Sequence, residues 1–194
     1  MKAKKTHPLF SARLLCSLLA VGSAALLGAC SSRPLQPYNT QQDLPAAVRV
    51  PAGHKAVLEA TSNGRLLYEC QAVRRAPYEY EWLLRSPGAE LTDTYGKRIT
   101  HKPGARASWT HQDGSSVIAR EFIEVPNGSH SLPLQRYRAE RSEAQGALHD
   151  VTYVQRLRTV GGWIATPTCS APQLGMRVTV PYEADYVFWR AAGS

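Results

Sequence analysis

Short runs of alternating apolar and polar residues, separated by turn-forming residues, constrain the fold of this 194-residue chain most strongly. Alternation with a period of two is the pattern of a strand with one buried face, and runs at this spacing are typical of all-β domains. Helical periodicity is weak, and only residues 138–148 stay open as a helix. The sequence therefore predicts an all-β fold, an antiparallel sandwich or barrel of about eight strands.

Turn signals divide these runs into strands. Asn63-Gly64 separates two apolar runs, and this dipeptide is the strongest short-range signal of a β-hairpin because both residues tolerate a positive φ. Asp113-Gly114 lies in a second turn of this kind. Pro181 stands between two later apolar runs and predicts that they are separate strands.

The first 29 residues have the features of an export signal. Four basic residues and no acidic residue accompany an apolar run from Leu14 to Leu27, and two small residues then precede Cys30. A cysteine at this one place is the lipobox pattern of bacterial lipoproteins, in which cleavage occurs before the cysteine and its side chain is acylated. The alternatives are a plain cleaved signal and an uncleaved anchor, although the run is shorter than the roughly 20 residues of a spanning helix.

Lipidation at Cys30 would make the membrane a partner of the chain. The acyl chains of a lipoprotein, palmitate among them, exceed the two that give stable anchoring. Ser31 and Ser32 follow the cysteine where enterobacterial lipoproteins of the inner membrane carry an aspartate, so resemblance favours the outer membrane, facing the periplasm. Residues 30–45 are polar and proline-punctuated, which predicts a flexible tether. Residues 46–190 are then predicted to form a single β domain.

The cysteine count agrees with an oxidising compartment. Cys70 and Cys169 are the pair that remains beyond Cys30, and an even pair in an exported protein predicts a disulfide. The alternatives are two buried thiols or a metal pair. The wide spacing and the absence of a Cys-x-x-Cys motif argue against a zinc ribbon or a thioredoxin-type motif.

The charge balance argues against nucleic acid as a partner. The predicted signal holds four of the 23 basic residues and none of the 15 acidic ones, so the net charge of the mature chain falls from +8 to +4. This is a mildly basic surface, not a nucleic-acid footprint. Arg156 and Arg158 are expected on a solvated face, with anionic lipid head groups as the alternative ligand. No Gly-x-Gly-x-x-Gly follows a strand, so no dinucleotide is predicted, and we expect no cofactor.

Two segments are the most distinctive of the chain, Val-Thr-Tyr-Val-Gln-Arg at residues 151–156 and Val-Pro-Tyr-Glu-Ala-Asp-Tyr at residues 180–186. Together with other positions between residues 46 and 189, they resemble the family called domain of unknown function 3455. The resemblance implies an exported bacterial or fungal protein without a settled activity. The other positions are Leu67-Tyr68-Glu69-Cys70, Trp82, Ala89-Glu90-Leu91-Thr92-Asp93, Gly96, His101, Trp109, Asp113-Gly114-Ser115, Thr159, Gly161-Gly162 and Cys169.

The candidate ligand site consists of His101, Trp109, His111 and Asp113. Imidazole and carboxylate groups can hold a transition metal or carry out acid–base chemistry. The alternative for Asp113 is a hydrogen bond to its own turn ahead of Gly114. A metal site needs convergence in space that this spacing does not force, so no metal is predicted and no residue is assigned as catalytic.

His101 can have either of two roles. As a functional group it would be partly exposed, with His111 or Asp113 within hydrogen-bond reach, and Gly104 would let the loop backbone pass close to it. As a structural group it would be buried against Trp109 or a neighbouring strand and bonded to backbone.

Three classes of function remain. The leading one is a non-catalytic envelope lipoprotein with a binding or structural β domain, whose further partner is a cell-envelope glycan or protein. The second is a glycan- or peptidoglycan-binding module, which needs a row of exposed tryptophans rather than tryptophans packed in the core. The third is a secreted enzyme with a site centred on His101. The tryptophans are Trp82, Trp109, Trp163 and Trp189, of which Trp163 is expected to be the most exposed.

Overall fold

The computed structural model describes residues 41–86, 88–140 and 144–193. They form ten antiparallel strands and two short 3-10 helices, Ala46–Val48 and Ala171–Gln173, with no α-helix in these ranges. Eight strands form a closed ring, so the predicted fold class is confirmed. The strands are β1 (His54–Val73), β2 (Ala76–Leu84), β3 (Ala89–Asp93), β4 (Arg98–Lys102), β5 (Ser108–His111), β6 (Ser116–Asn127), β7 (Ser131–Ala139), β8 (Tyr153–Gly161), β9 (Thr168–Cys169) and β10 (Arg177–Ala191).

The ring runs in the order β10-β8-β7-β6-β5-β4-β3-β1 and closes because β1 also pairs with β10. That closing ladder is long, from His54 opposite Ala191 to Glu69 opposite Arg177. The strands β2 and β9 lie outside the ring and extend the sheet from the second half of β1. Closure of the ring leaves its eight strands with few unpaired edges.

The hairpin predicted at Asn63-Gly64 is wrong, because β1 passes straight through this dipeptide. Asn63 pairs with Glu183 and Gly64 with Tyr182 of β10. The alternation of buried and exposed residues continues unbroken through the dipeptide, with Ser62 before it and Leu66 after it both buried. A ladder to a distant strand therefore overrides the local turn preference of Asn-Gly.

The hairpin at Asp113-Gly114 is confirmed between β5 and β6. The separation of two strands at Pro181 is wrong, since β10 continues through this residue opposite Arg65. The segment that stayed open as a helix ends β7 and then forms turns over residues 144–150, with no helix in its described part.

The main core fills the inside of the ring. Its largest fully buried side chains include Trp109, Tyr186 and Phe188, and the rings of Tyr186 and Phe188 pack edge-on against Trp109. A second, smaller cluster lies on the outer face of β8 and β10 and consists of Val50, Leu157, Val187 and Trp189.

The segment before β1 covers this outer cluster. Gln155 on β8 donates to the carbonyl of Val48 and exchanges hydrogen bonds with Gln41, while the indole of Trp189 donates to Gln155 at 2.9 Å. Leu44 packs against the same cluster. Gln41 and Leu44, which fall within the segment predicted as a tether, therefore contact the domain. The predicted signal, Cys30 and the tether up to residue 40 lie outside the described residues.

The predicted disulfide between Cys70 and Cys169 is confirmed, with Cα atoms 6.2 Å apart. Cys70 lies near the end of β1 and Cys169 in β9, so the bridge joins the ring to the outermost strand of the extension. Within the described residues, no helix is long and apolar enough to cross a membrane.

Candidate functional site

The candidate residues of β4 and β5 share the inner face of the ring. His101 lies opposite Trp109, and Ile99 lies opposite His111. All four side chains are buried. Directly opposed residues of an antiparallel pair point to the same side of the sheet, so these four side chains are buried together on the inner face.

His101 packs flat against Trp109 and is bonded to backbone. The two rings are 4.7 Å apart and inclined by 7°, and Nδ1 of His101 lies 3.1 Å from the carbonyl oxygen of Ser108. The pKa of His101 is lowered to about 4, chiefly by burial and also by the positive charge of Arg156, against the opposing effect of the Ser108 hydrogen bond. The neutral ring, 3% exposed, has the geometry expected of the structural role.

The close backbone approach to His101 comes from Gly88 and not from Gly104. A Cβ atom on Gly88 would lie 2.3 Å from the carbonyl oxygen of His101, whereas one on Gly104 would meet nothing within 4 Å. The contact expected for Gly104 is therefore wrong. The sequence could not identify Gly88 because the approach depends on the β3–β4 pairing that sets Ala89 opposite His101.

His111 joins two turns. Its Nδ1 lies 3.2 Å from the backbone nitrogen of Asp113 and 3.0 Å from the carboxylate of the same residue, and its Nε2 faces the carboxylate of Asp93 at 3.4 Å. The carboxylate of Asp93 also accepts the N–H groups of Tyr95 and Lys97 at 2.9 and 2.7 Å. The imidazole thus links the turn between β3 and β4 to the turn between β5 and β6.

Asp113 makes the hydrogen bonds within its own turn that are expected of an aspartate before glycine, and it also binds a segment distant in sequence. Its carboxylate accepts the backbone N–H and the hydroxyl of Ser115 at 2.8 and 2.6 Å, and the N–H of Ala147 at 2.8 Å. The N–H of Leu148 donates to the Ser115 hydroxyl at 3.1 Å. Burial raises the pKa of Asp113, but these hydrogen bonds together hold it well below its usual value.

His101, His111 and Asp113 therefore do not form one constellation. His111 and Asp113 contact each other, with Nδ1 of the imidazole 3.0 Å from the carboxylate, but His101 has no hydrogen bond to either of them within the described ranges. Over the same ranges, no group of three or more His, Cys, Asp or Glu side chains is placed to hold a metal ion.

The tryptophans do not form a solvent-facing row. Trp109 and Trp189 are buried, and Trp82 packs against the main core. Trp163 is 43% exposed, as the sequence predicted for this residue. The arrangement that a glycan-binding surface needs is therefore not formed by these four residues.

A pocket of about 50 Å³ opens at one end of the ring, beside His101. Its polar side chains are those of Ser86, His101, Arg156, Tyr182 and Tyr186. Its apolar rim is formed by leucines and small residues of β1, β2, β3, β7 and the loop after β4, namely Leu66, Leu84, Ala89, Leu132 and Pro103.

Arg156 is buried, so its predicted place on a solvated face is wrong. Only 9% of the residue is exposed, and it shares the inner face of β8 with Val154. Its Nε and Nη2 donate to the carbonyl oxygen of Pro133 at 3.2 and 3.0 Å. Among the described residues, no carboxylate lies within 4.0 Å of the guanidinium, the limit for an ion pair.

Residues 51–190 match the family model described as "Protein of unknown function (DUF3455)". The chain belongs to the DUF3455 family. No curated protein and no solved structure matches the chain. The matched residues contain the whole ring except its last residue, and Arg156 ends the first of the two segments that suggested this family.

The DUF3455 domain also has a larger cleft of about 490 Å³ on the outside of the ring. Tyr153 lies between His54, in edge contact at 4.9 Å, and the guanidinium of Arg136 at 5.8 Å. Arg138 pairs with Glu121 at 3.3 Å across the solvent-exposed β6–β7 ladder. The charge of Arg138 in this cleft is paired with a carboxylate and exposed to solvent, in contrast to the charge of Arg156.

Proposed function

We propose that this DUF3455 chain is an exported lipoprotein of the bacterial cell envelope, anchored through Cys30 in the outer membrane and presenting a non-catalytic binding domain to the periplasm. The disulfide between Cys70 and Cys169 carries this proposal. Disulfides persist in oxidising compartments and are rare in the cytosol, so the bridge supports export independently of the leader sequence.

A binding role agrees better with the inner face of the ring than a catalytic one. The ring of His101 is stacked and bonded to backbone, and the hydroxyl of Ser115 is fully buried and held by Asp113. A general base must come within hydrogen-bond reach of a substrate proton. Ser115 would reach one only after the core has opened, and His101, although it lines the pocket with Arg156, is 3% exposed and already bonded to the carbonyl of Ser108. The pocket with Arg156, in contrast, opens at the end of the ring without such a rearrangement.

Acylation of Cys30 tests the anchored function directly. The full chain is expressed in a bacterium with an outer membrane and labelled with radioactive palmitate, alongside Cys30→Ser and the control Cys16→Ser. We expect label in the wild type and in Cys16→Ser, and none in Cys30→Ser. Equal label in all three chains would overturn the proposal, because Cys16 lies inside the predicted signal and Cys30 at its cleavage site.

A further inference from the structure

The pocket at the end of the ring contains a positive charge that the described protein groups do not neutralise. Burial of an ion costs several kcal/mol unless a partner of opposite charge compensates for it. Arg156 donates to the neutral carbonyl of Pro133, and it also makes a side-chain hydrogen bond to the hydroxyl of Tyr186, which is neutral as well. A guanidinium has five N–H donors, and the two bonds from Nε and Nη2 leave donors for a further acceptor.

The titratable groups around Arg156 do not supply the missing negative charge. His101 is neutral at neutral pH, since burial lowers its pKa to about 4. Burial likewise raises the pKa of Tyr68, Tyr137 and Tyr186, although the charge of Arg156 opposes this rise. The phenols therefore stay protonated. Glu124 lies in the same cross-strand row, but its exposed carboxylate accepts a hydrogen bond from Gln135 and is not in an ion pair with Arg156, so among the described residues the buried guanidinium has no carboxylate partner.

The pocket combines this charge with an apolar rim. Leu66 and Leu132 are buried beside the polar groups, while Leu84 is 42% exposed at the mouth. The volume of about 50 Å³ exceeds the roughly 10–15 Å³ that a cavity needs to hold one water molecule, so the pocket has room for a small polar group. Any remaining part of a ligand would lie along the leucines and extend to solvent.

We infer that the pocket binds the oxyanion head group of a small amphiphilic molecule, a carboxylate or phosphate carried on a hydrocarbon chain. Arg156 makes charge-assisted hydrogen bonds to the oxyanion, the interaction for which a planar guanidinium is best suited. Leu66, Leu84 and Leu132 contact the hydrocarbon. The inference specifies the ligand of the proposed binding domain and rests on that role.

Four probes separate the features of this ligand. Butyrate and butyl phosphate combine a head group with a short chain, butanol keeps the chain without the charge, and inorganic phosphate keeps the charge without the chain. Binding to the full chain in a non-ionic detergent is measured by titration calorimetry. We expect one of the two amphiphilic anions to bind at least about tenfold more tightly than butanol and than inorganic phosphate, as one good charge-assisted contact provides. The tighter of the two identifies a carboxylate or a phosphate ligand.

Two pairs of variants assign the binding to the pocket. Arg156→Gln should weaken binding of the preferred anion at least about tenfold, whereas Arg138→Gln removes the same charge from the exposed neighbouring strand and should leave it unchanged. Leu84→Asp and Leu84→Asn both remove the contact of this leucine with the hydrocarbon, but only Leu84→Asp sets a carboxylate at the mouth, so it should bind the anion at least about tenfold more weakly than Leu84→Asn. The second pair decides the question if Arg156→Gln does not fold, because Leu84 is partly exposed.

Several results would overturn the inference. The first is equal binding of butanol and the anions. The second is no anion binding up to about 10 mM, a concentration at which a ligand with a Kd of 1 mM would nearly saturate the protein. The third is equal affinity of Leu84→Asp and Leu84→Asn for the preferred anion. Palmitate labelling of Cys30 does not depend on the pocket. Absence of anion binding in a labelled chain would therefore refute the ligand alone, and absence of label in a chain that binds anions would refute the anchor alone.

Discussion

The imidazole of His101 and the indole of Trp109 lie 4.7 Å apart and almost parallel, at 7°, on neighbouring strands inside the ring. The stack removes His101 from solvent, and the nearby Arg156 adds an unfavourable charge to its protonated form. Protonation of His101 and folding of the domain therefore oppose each other.

Acid should destabilise the domain through His101. Its pKa is about 4 in the folded chain and about 6.5 when unfolded, so the unfolded state binds the proton more tightly. The stabilisation is complete above about pH 6.5 and is lost as the pH falls towards about 4, by roughly 3 kcal/mol. Urea denaturation across this range should show the loss in the wild type and a flatter dependence in His101→Gln. The exposed His130→Gln should follow the wild type; an unchanged slope in His101→Gln would contradict the assignment.

Asp113 should hold residues 144–150 against the β5–β6 hairpin. Asp113→Ala removes the acceptor of the Ser115 and Ala147 N–H groups and should lower the free energy of unfolding by about 1–2 kcal/mol, since the carboxylate is partly exposed. Hydrogen exchange at Ala147 and Leu148 should accelerate more than exchange in β1. The exposed Asp43→Ala is the control, and unchanged exchange at Ala147 would refute the contact.

Gly161 and Gly96 separate backbone strain from steric clash. Both have positive φ, +68° and +74°, where a side chain is strained by about 1–2 kcal/mol. A Cβ atom on Gly161 would lie 2.4 Å from the carbonyl oxygen of Pro181, whereas one on Gly96 would meet nothing within 4 Å. Gly161→Ala should therefore lower the Tm well below that of Gly96→Ala. Equal values would show that β8 and β10 do not approach as closely as described.

The bridge between Cys70 and Cys169 should stabilise the domain through the unfolded chain. It closes a loop with a sequence separation of 99, and the chain-entropy relation assigns about 4.7 kcal/mol to such a loop. Cys70→Ala with Cys169→Ala should lose this amount in urea denaturation and become insensitive to reductant. Reduction of the wild type should reproduce the loss. Equal denaturation midpoints of the oxidised wild type and the double alanine variant would contradict a stabilising bridge.

Local patterns predicted the fold where local physics determines it. The Asp113-Gly114 hairpin formed because its two strands are neighbours in the chain. The turn prediction at Asn63-Gly64 was wrong because both residues pair with β10, more than a hundred residues away in the chain. A continuous ladder stabilises this segment more than a turn would. Local preference cannot report a partner at that distance.

The candidate site followed the same rule. The structural alternative for His101, burial against Trp109 with a bond to backbone, describes the observed site, and the oxidising compartment predicted the pairing of Cys70 with Cys169. The position of Arg156 was missed because its charge suggested a wet face. A signal was present, since Arg156 stands two residues after the buried Val154 and therefore shares its side of the strand.

The intact mass of the chain purified from bacterial membranes, after alkylation without reductant, tests the account most directly. We predict a chain that begins at Cys30, carries acyl groups on that residue, and takes up no alkyl group at Cys70 or Cys169 because both are oxidised. A chain that retains residues 1–29 or lacks acyl groups, with two alkylated thiols, would contradict an exported and lipid-anchored domain closed by a disulfide.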